Sequence, residues 1–368
     1  MRIQAAVVHE PAGPFSIEDV DLDDPRPGEV LVRVAAAGLC HTDLVTRDGA
    51  LPPPLPAVLG HEGAGVVERV GPGVTKVVPG DRVVLTFASC GQCPNCRRGR
   101  STACINFLAR NFAGVRPDGS PTLTRDGGPV SGAYFGQSSF ATYALATESN
   151  VVKVPADVPL ELLGPLGCGI QTGAGAVLNS LAAEAGSSIA IFGVGSVGMA
   201  ALLGALVAGC TTIVAVDPNQ ERLNIAVELG ATHTVDPNKD NAVEAIGEAT
   251  AGFGADYSLE CTGIPAVLRQ AVDCLGVPGT CGVLGVAPMG AEVNLDIFSL
   301  LAGRTVRGII EGDSVPDVFI PALINLWRQG RFPFDRLIRS YDFDQINEAA
   351  ADSEKGIALK AVLLMPLD

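Results

Sequence analysis

Cys90, Cys93, Cys96 and Cys104 stand at C-x2-C-x2-C-x7-C spacing within fifteen residues, while Cys40, His61 and Cys168 are scattered far around them. The two sets suit different chemistry. Four clustered thiolates can close a tetrahedron around Zn2+ with every position filled by protein, the arrangement of a structural site with no room for substrate. The residues between them, Gln92, Pro94, Asn95, Arg97, Arg98 and Gly99, are polar or turn-forming, so the stretch reads as a surface lobe folded around metal. Two disulfides, or unligated buried thiols, are the alternative; the short pair spacing and the lack of a secretory signal disfavour it. The dispersed set offers S, N and S ligands from remote loops, as a catalytic zinc with an open coordination position requires. Taken singly, each of the three is more often a buried small hydrophobe or a structural histidine.

A second chemical signal lies in SSIAIFGVGSVGMAALLGALVAGCTTIVAVD, where Gly193, Gly195 and Gly198 form G-x-G-x-x-G between an apolar run, Ile189 to Phe192, and a helical stretch. Asp217 ends the next apolar run, nineteen residues beyond the last glycine. Strand, glycine turn, helix and distal acid together make a dinucleotide-binding fingerprint. Gly193 permits the tight turn, Gly195 lets backbone approach the pyrophosphate and Gly198 allows close packing of helix on strand. The loop Gly193, Val194, Gly195, Ser196, Val197 and Gly198 would present the helix N-terminus to the diphosphate. Asp217 would accept the ribose hydroxyls and repel the extra phosphate of NADP, so NAD is the expected cofactor. Arg222, nearby, leaves dual specificity open.

These residues need two scaffolds. A chain of 368 residues exceeds what one core usually serves. From about residue 171 to 309 strand and helix alternate: after the fingerprint come helices at 221–229, 242–250, 266–275 and 295–301, and strands at 232–235, 255–261, 279–286 and 305–310. This is the pattern of a doubly wound parallel Rossmann sheet. Residues 1–170 carry short β-rich runs, at 3–8, 30–36, 63–70 and 82–87, cut by turn clusters such as Asp24-Pro25-Arg26-Pro27-Gly28, and read as a mainly β domain with the cysteine lobe at about 88–106. Residues 310–368, with helices at 318–328 and 345–354 and a strand at 361–365, are expected to return to it.

Composition excludes other classes. A net charge of −15 without a basic run disfavours nucleic acid and anionic membrane surfaces as partners. The uncharged stretch from Gly186 to Val216 is punctuated by glycines and divides into strand, helix and strand, so it is not read as a membrane span. MRIQAAVVHEPAGPF has no basic segment followed by an apolar one, which points to a reduced, cytoplasmic protein whose ten cysteines serve largely in metal ligation.

Gly38 to Asp43 reads G-x-C-H-T-D, Gly60 to Gly65 reads G-H-E-x-x-G, and Gly167-Cys168-Gly169 follows the four-cysteine lobe and precedes the glycine fingerprint. In these motifs, and in their order, the chain resembles the zinc-dependent medium-chain alcohol dehydrogenases. FGQSSFATYALA at 135–146 and EGDSVPDVFIPALINLWRQGRFPFDRLI at 311–338 look most like the aryl-alcohol dehydrogenases, with terpene alcohol dehydrogenases similar. The resemblance implies a GroES-like catalytic domain beside the Rossmann domain. It implies two zinc ions per chain, one catalytic on Cys40, His61 and Cys168 with Glu62 as alternative or neighbouring ligand, and one structural in the lobe. It further implies Asp43 orienting His61, Thr42 taking the alcohol proton, His41 and Lys360 on the cofactor phosphates, and a homodimer or homotetramer.

The expected substrate is a small primary aromatic or allylic alcohol, with Phe87, Phe140 and Ile310 as candidate walls. Terpene or aliphatic alcohols and thiol-bound formaldehyde are alternatives within the chemistry, and a non-catalytic regulator that binds zinc and NAD is one outside it. The sequence departs from the family at Val45, where many members have a histidine that completes a proton relay to solvent.

Overall fold

The computed structural model describes residues 1–366 and divides the chain into two compact units. One comprises Met1–Cys168, Val315–Ala322 and the residues from Asp335 on; the other comprises Gly169–Ser314 and Leu323–Phe334. The expected return at residue 310 is therefore displaced. The chain leaves the second unit after Ser314, and Leu323–Phe334, where Leu323, Ile324, Phe332 and Phe334 are fully buried, clusters with that unit again.

The first unit is built on two sheets. One has five strands in the order Ala57–Val58, Arg2–Val8, Ser16–Leu22, Leu123–Arg125 and Gly128–Val130. The other runs Val151–Lys153, Arg82–Leu85, Glu62–Val70, Glu29–Gly38, Lys360–Leu364 and Ile338–Asp342, with Tyr143–Thr147 also paired to Glu29–Gly38. Side chains such as Val30, Leu31, Val32, Val67, Val83 and Leu85 enter a shared core with Val7, Leu59 and Phe140. Pairing of Val362 with Gly38 brings the C-terminal strand alongside the chain entering Cys40.

The second unit carries a six-stranded sheet in the order His233–Val235, Thr212–Val216, Ser188–Phe192, Ala255–Glu260, Leu275–Val283 and Thr305–Gly308, every pairing parallel. The strand order reverses beside Ser188–Phe192, where open α/β sheets bind ligands beyond the strands' carboxyl ends. Ser188–Phe192 and Thr212–Val216 are buried along almost their whole length, which accounts for their uninterrupted apolar sequence. The uncharged stretch resolves into these two strands and the helix Ser196–Ala208 between them. Among the described residues no helix is long and apolar enough to cross a membrane.

Helix ends follow local chemistry. The Asn219 side chain accepts the N–H groups of Glu221 and Arg222 to start Gln220–Leu229, and Gly230 ends it at φ +115°. The strand expected from Gly279 begins at Leu275 and passes through Pro278, and the last one stops at Gly308 rather than Ile310.

Candidate active site

In the lobe the four sulfurs lie within 4.8 Å of one another. Cys90 and Cys96 Sγ are 3.9 Å apart and Cys93 and Cys96 Sγ 3.5 Å, far beyond a disulfide bond, and no disulfide joins any of the ten cysteines. Those separations match the edge of a ZnS4 tetrahedron, roughly 3.8 Å for Zn–S bonds of about 2.3 Å. The disulfide alternative is thereby excluded. Backbone N–H groups point at sulfur: Cys93 N–H donates to Cys90 Sγ, Cys96 N–H to Cys93 Sγ and Cys90 N–H to Cys104 Sγ. The amides of Gln92 and Cys93 pull the Cys90 thiol down to about 6. Burial, with the neighbouring sulfurs, pushes Cys96 up to about 12, so four thiolates in this space require a cation between them.

The dispersed residues converge in the first unit, where ligand atoms of Cys40, His61, Glu62 and Cys168 also lie within 4.8 Å of one another. Cys40 caps the helix His41–Arg47, and fully buried Asp43 organises the surroundings. Its Oδ2 accepts the Cys40 N–H at 2.9 Å; its Oδ1 accepts the Gly60 N–H at 3.2 Å and the His61 Nδ1–H at 2.8 Å. A proton held on Nδ1 leaves Nε2 with a bare lone pair, and this buried Nε2 has no hydrogen-bond partner. A buried polar atom without a partner costs about 1–3 kcal/mol, a penalty that a metal ion at Nε2 removes. The Cys168 thiol, and then His61, draw the Cys40 thiol well below its ordinary range against the effect of burial. With no metal bound, burial opposes protonation of His61, but Asp43 and Cys40 outweigh it and raise the imidazole well above its usual range, so the position at Nε2 favours a positive charge that a zinc ion would supply in place of a proton. Two sulfurs and an imidazole arranged in this way fit a zinc ion.

Glu62 joins the dispersed site as expected, whereas Lys360 lies against it instead of facing solvent. Lys360, expected on the cofactor phosphates, is 2% exposed, and its Nζ donates to both Glu62 carboxylate oxygens at 2.9 Å and to Leu39 O at 3.3 Å. An ammonium has three donors, and these contacts account for all of them. Burial alone would lower Lys360, but Glu62 reverses that and raises it. Gly38 makes room for this pair, since a Cβ there would sit 2.0 Å from Glu62 Oε2.

Thr42 is half-buried with its hydroxyl 3.7 Å from Cys40 Sγ, whereas His41, the first residue of the same helix, is exposed. Phe140 is fully buried against Phe15 and so is core rather than wall; Phe87 is also buried, and Ile310 is half exposed. The aromatic surroundings missed by sequence reasoning are Tyr134 and Phe135. The Phe135 ring stacks on the His61 imidazole, with centroids 4.3 Å apart and planes 24° apart, and Tyr134 meets it edge-on at 5.6 Å. The FGQSSF motif marked this segment, but nothing local assigned it a face of His61.

In the second unit the fingerprint glycines take the geometry their spacing requires. Gly193 has φ +86°, and a Cβ at Gly198 would lie 2.0 Å from Gly193 O. A Cβ at Gly195 would meet nothing within 4 Å, which leaves that backbone open to a close ligand. Asp217 Oδ2 accepts the Val194 N–H at 3.0 Å and lies 3.5 Å from Arg222 Nη1, and Oδ1 accepts the Asn219 N–H. The Ser196 hydroxyl, on the first residue of the helix, is buried without a hydrogen-bond partner. Val197 follows it in the same first turn.

Residues 26–156 match the alcohol dehydrogenase GroES-like domain, and residues 196–327 match the zinc-binding dehydrogenase domain. The chain belongs to the zinc-binding alcohol dehydrogenases. It is 51% identical over 363 residues to a geraniol dehydrogenase of Castellaniella defragrans, covering 98% of this chain and 97% of that protein. The crystal structure of an alcohol dehydrogenase zinc-binding domain protein from Burkholderia ambifaria superposes with a TM-score of 0.98 at 56% identity, and that of benzyl alcohol dehydrogenase from Acinetobacter calcoaceticus with 0.96 at 46%, both covering 100% of each chain. This zinc-binding alcohol dehydrogenase is thus an oxidoreductase of small-molecule alcohols that works with zinc and a nicotinamide cofactor.

Proposed function

We propose that the enzyme oxidises primary aromatic or allylic alcohols, of the benzyl alcohol and geraniol type, reversibly to aldehydes with NAD. The observation that carries the reaction is the convergence of Cys40, His61 and Cys168 around the partnerless Nε2 of His61. The substrate class is supported by the full-length relatives named for geraniol and benzyl alcohol. When bound, zinc supplies a Lewis acid that acidifies the substrate hydroxyl, and NAD supplies the hydride acceptor, so the products are aldehyde, reduced cofactor and a proton.

The protein's residues provide the rest. Cys40, His61 and Cys168 hold the metal, Asp43 keeps His61 in the tautomer that presents Nε2, and Glu62, neutralised by Lys360, stays at hand as a neighbouring oxygen. The Thr42 hydroxyl takes the alcohol proton. The Gly193–Gly198 loop receives the diphosphate, with the Ser196 hydroxyl as a side-chain donor, and Asp217 retains acceptor capacity for the ribose hydroxyls.

Two results are expected for substrate and cofactor. In an assay of NADH formation, kcat/KM for benzyl alcohol or geraniol exceeds that for ethanol by roughly 10²-fold, the discrimination an apolar pocket gives over several methylene groups. A higher value for ethanol, or for formaldehyde with glutathione, would replace the substrate assignment. For the cofactor, kcat/KM with NAD exceeds that with NADP by about 10²-fold, because buried Asp217 would face the extra phosphate of NADP. A preference for NADP sinks this assignment.

Val45 is half-buried on the helix His41–Arg47, one turn beyond Thr42. Val45→His is expected to add an ionisation near the ordinary imidazole value of about 6.5 to the pH profile of kcat. An unchanged profile shows that the position takes no part in proton release.

The assembly we infer is a homo-oligomer joined by sheet extension. Strand Thr305–Gly308 is an edge of the six-stranded sheet, and Ile297, Phe298 and Leu301 of the helix before it are largely exposed. Light scattering on the purified enzyme tests it, and a monomer at micromolar concentration overturns it.

A further inference from the structure

His61 is restrained at its edge and its backbone, but hydrogen bonds alone leave its ring free to tilt. Asp43 grips Nδ1, while the Gln137 side chain donates to His61 O at 2.9 Å and accepts the Gly63 N–H at 3.1 Å. None of these contacts sets the plane of the imidazole. Phe135 does, by lying face to face with it at 4.3 Å.

The backbone marks Phe135 as unusual. Its φ is +50°, in the left-handed region that bulky side chains avoid, at a cost of about 1–3 kcal/mol that persists only where surrounding contacts over-determine it. Those contacts are present. Asn150 Nδ2 donates to Phe135 O, and the N–H groups of Gly136 and Gln137 close turns onto Ala133 O and Tyr134 O. Phe112 meets the Phe135 ring edge-on at 5.0 Å and Phe107 at 6.4 Å. Both belong to the helix Phe107–Phe112, whose first residue donates its N–H to Cys104 O in the four-cysteine lobe. The lobe is thus continuous, through this helix and Phe135, with the face of His61.

We propose that Phe135 is a positioning residue: by stacking on His61 it fixes the imidazole plane so that Nε2 is aimed at the metal. The inference rests on the reading of His61 as a ligand of the dispersed site. Partners that orient a metal-bound histidine govern affinity as well as activity, commonly by 10–100-fold. Phe135→Leu removes the flat face while keeping an apolar side chain without branching at Cβ, and leaves the positive-φ cost in place. Phe15→Leu, elsewhere in the same core and edge-on to Phe140, controls for general loss of packing.

The test loads Co2+ into the dispersed site while zinc remains in the lobe, then follows the visible ligand-field spectrum and the rate of cobalt release to a chelator. Phe135→Leu is expected to shift the spectrum and to speed cobalt release about tenfold, with lobe zinc unaffected. Phe15→Leu should do neither. A wild-type spectrum and rate in Phe135→Leu, or equal changes in Phe15→Leu, overturns the positioning role. A failure of the wild-type enzyme to show a cobalt band that Cys40→Ser abolishes overturns the ligand reading beneath it, which separates the two failures.

Discussion

Cys40→Ser is expected to lower kcat by on the order of 10³-fold while leaving the protein folded, with zinc falling from two ions per chain to one. Several kilocalories of transition-state stabilisation come from a catalytic metal, and each 1.36 kcal/mol is tenfold in rate. A serine hydroxyl does not ionise as the Cys40 thiol does beside Cys168 and His61. The fold does not depend on that sulfur. The Cys40 N–H still reaches Asp43, and Asp43 still holds Gly60 and His61, so the helix His41–Arg47 keeps its start. Thermal unfolding should move by no more than a few degrees. Cys93→Ser should do the reverse, since the lobe is a short, turn-rich segment with little apolar core and depends on its metal for its shape. Its melting temperature should fall, and activity should fall with the folded fraction. Metal analysis, steady-state kinetics and calorimetry on the two variants separate the sites; equal behaviour would deny the division of labour between them.

What could be read from the sequence was what short spacing determines. The glycines at 193, 195 and 198 act within one turn, and the lobe's sulfurs within one loop, so their geometry follows from positions a few residues apart. The alternation of strand and helix likewise gave a parallel sheet, with errors confined to element ends such as Leu275 and Gly308. Contacts between distant segments were not legible. Nothing around Lys360 announces that it lies against Glu62, 298 residues earlier, because the pairing of Lys360–Leu364 with Glu29–Gly38 decides it. The stack of Phe135 on His61 is hidden for the same reason, and also because a positive φ at an aromatic residue contradicts local preference. Strand Ser16–Leu22 escaped because SIEDVDL carries three acids in seven residues; only its pairing with Arg2–Val8 makes the alternation legible.

Lys360→Met should destabilise the first unit by about 3–5 kcal/mol, the usual cost of removing one partner from a buried ion pair. Glu62 is fully buried, and the substitution takes away the ammonium that both of its carboxylate oxygens meet at 2.9 Å. Protonation relieves part of the charge left behind. Burial already raises the Glu62 carboxyl, and loss of Lys360 removes the interaction that opposes the rise. The double variant Glu62→Gln with Lys360→Met should recover much of the loss, because it removes the uncompensated charge and keeps a polar group of similar shape. Denaturant titration of the wild type, both single variants and the double variant yields the coupling directly, and additive losses would show that the pair contributes nothing as a pair. The same variants bear on the phosphate assignment. With all three Nζ donors committed to Glu62 and Leu39, Lys360→Met measured on folded enzyme should leave KM for NAD within a few-fold of wild type. A large rise in that KM with little change in stability would return Lys360 to the cofactor.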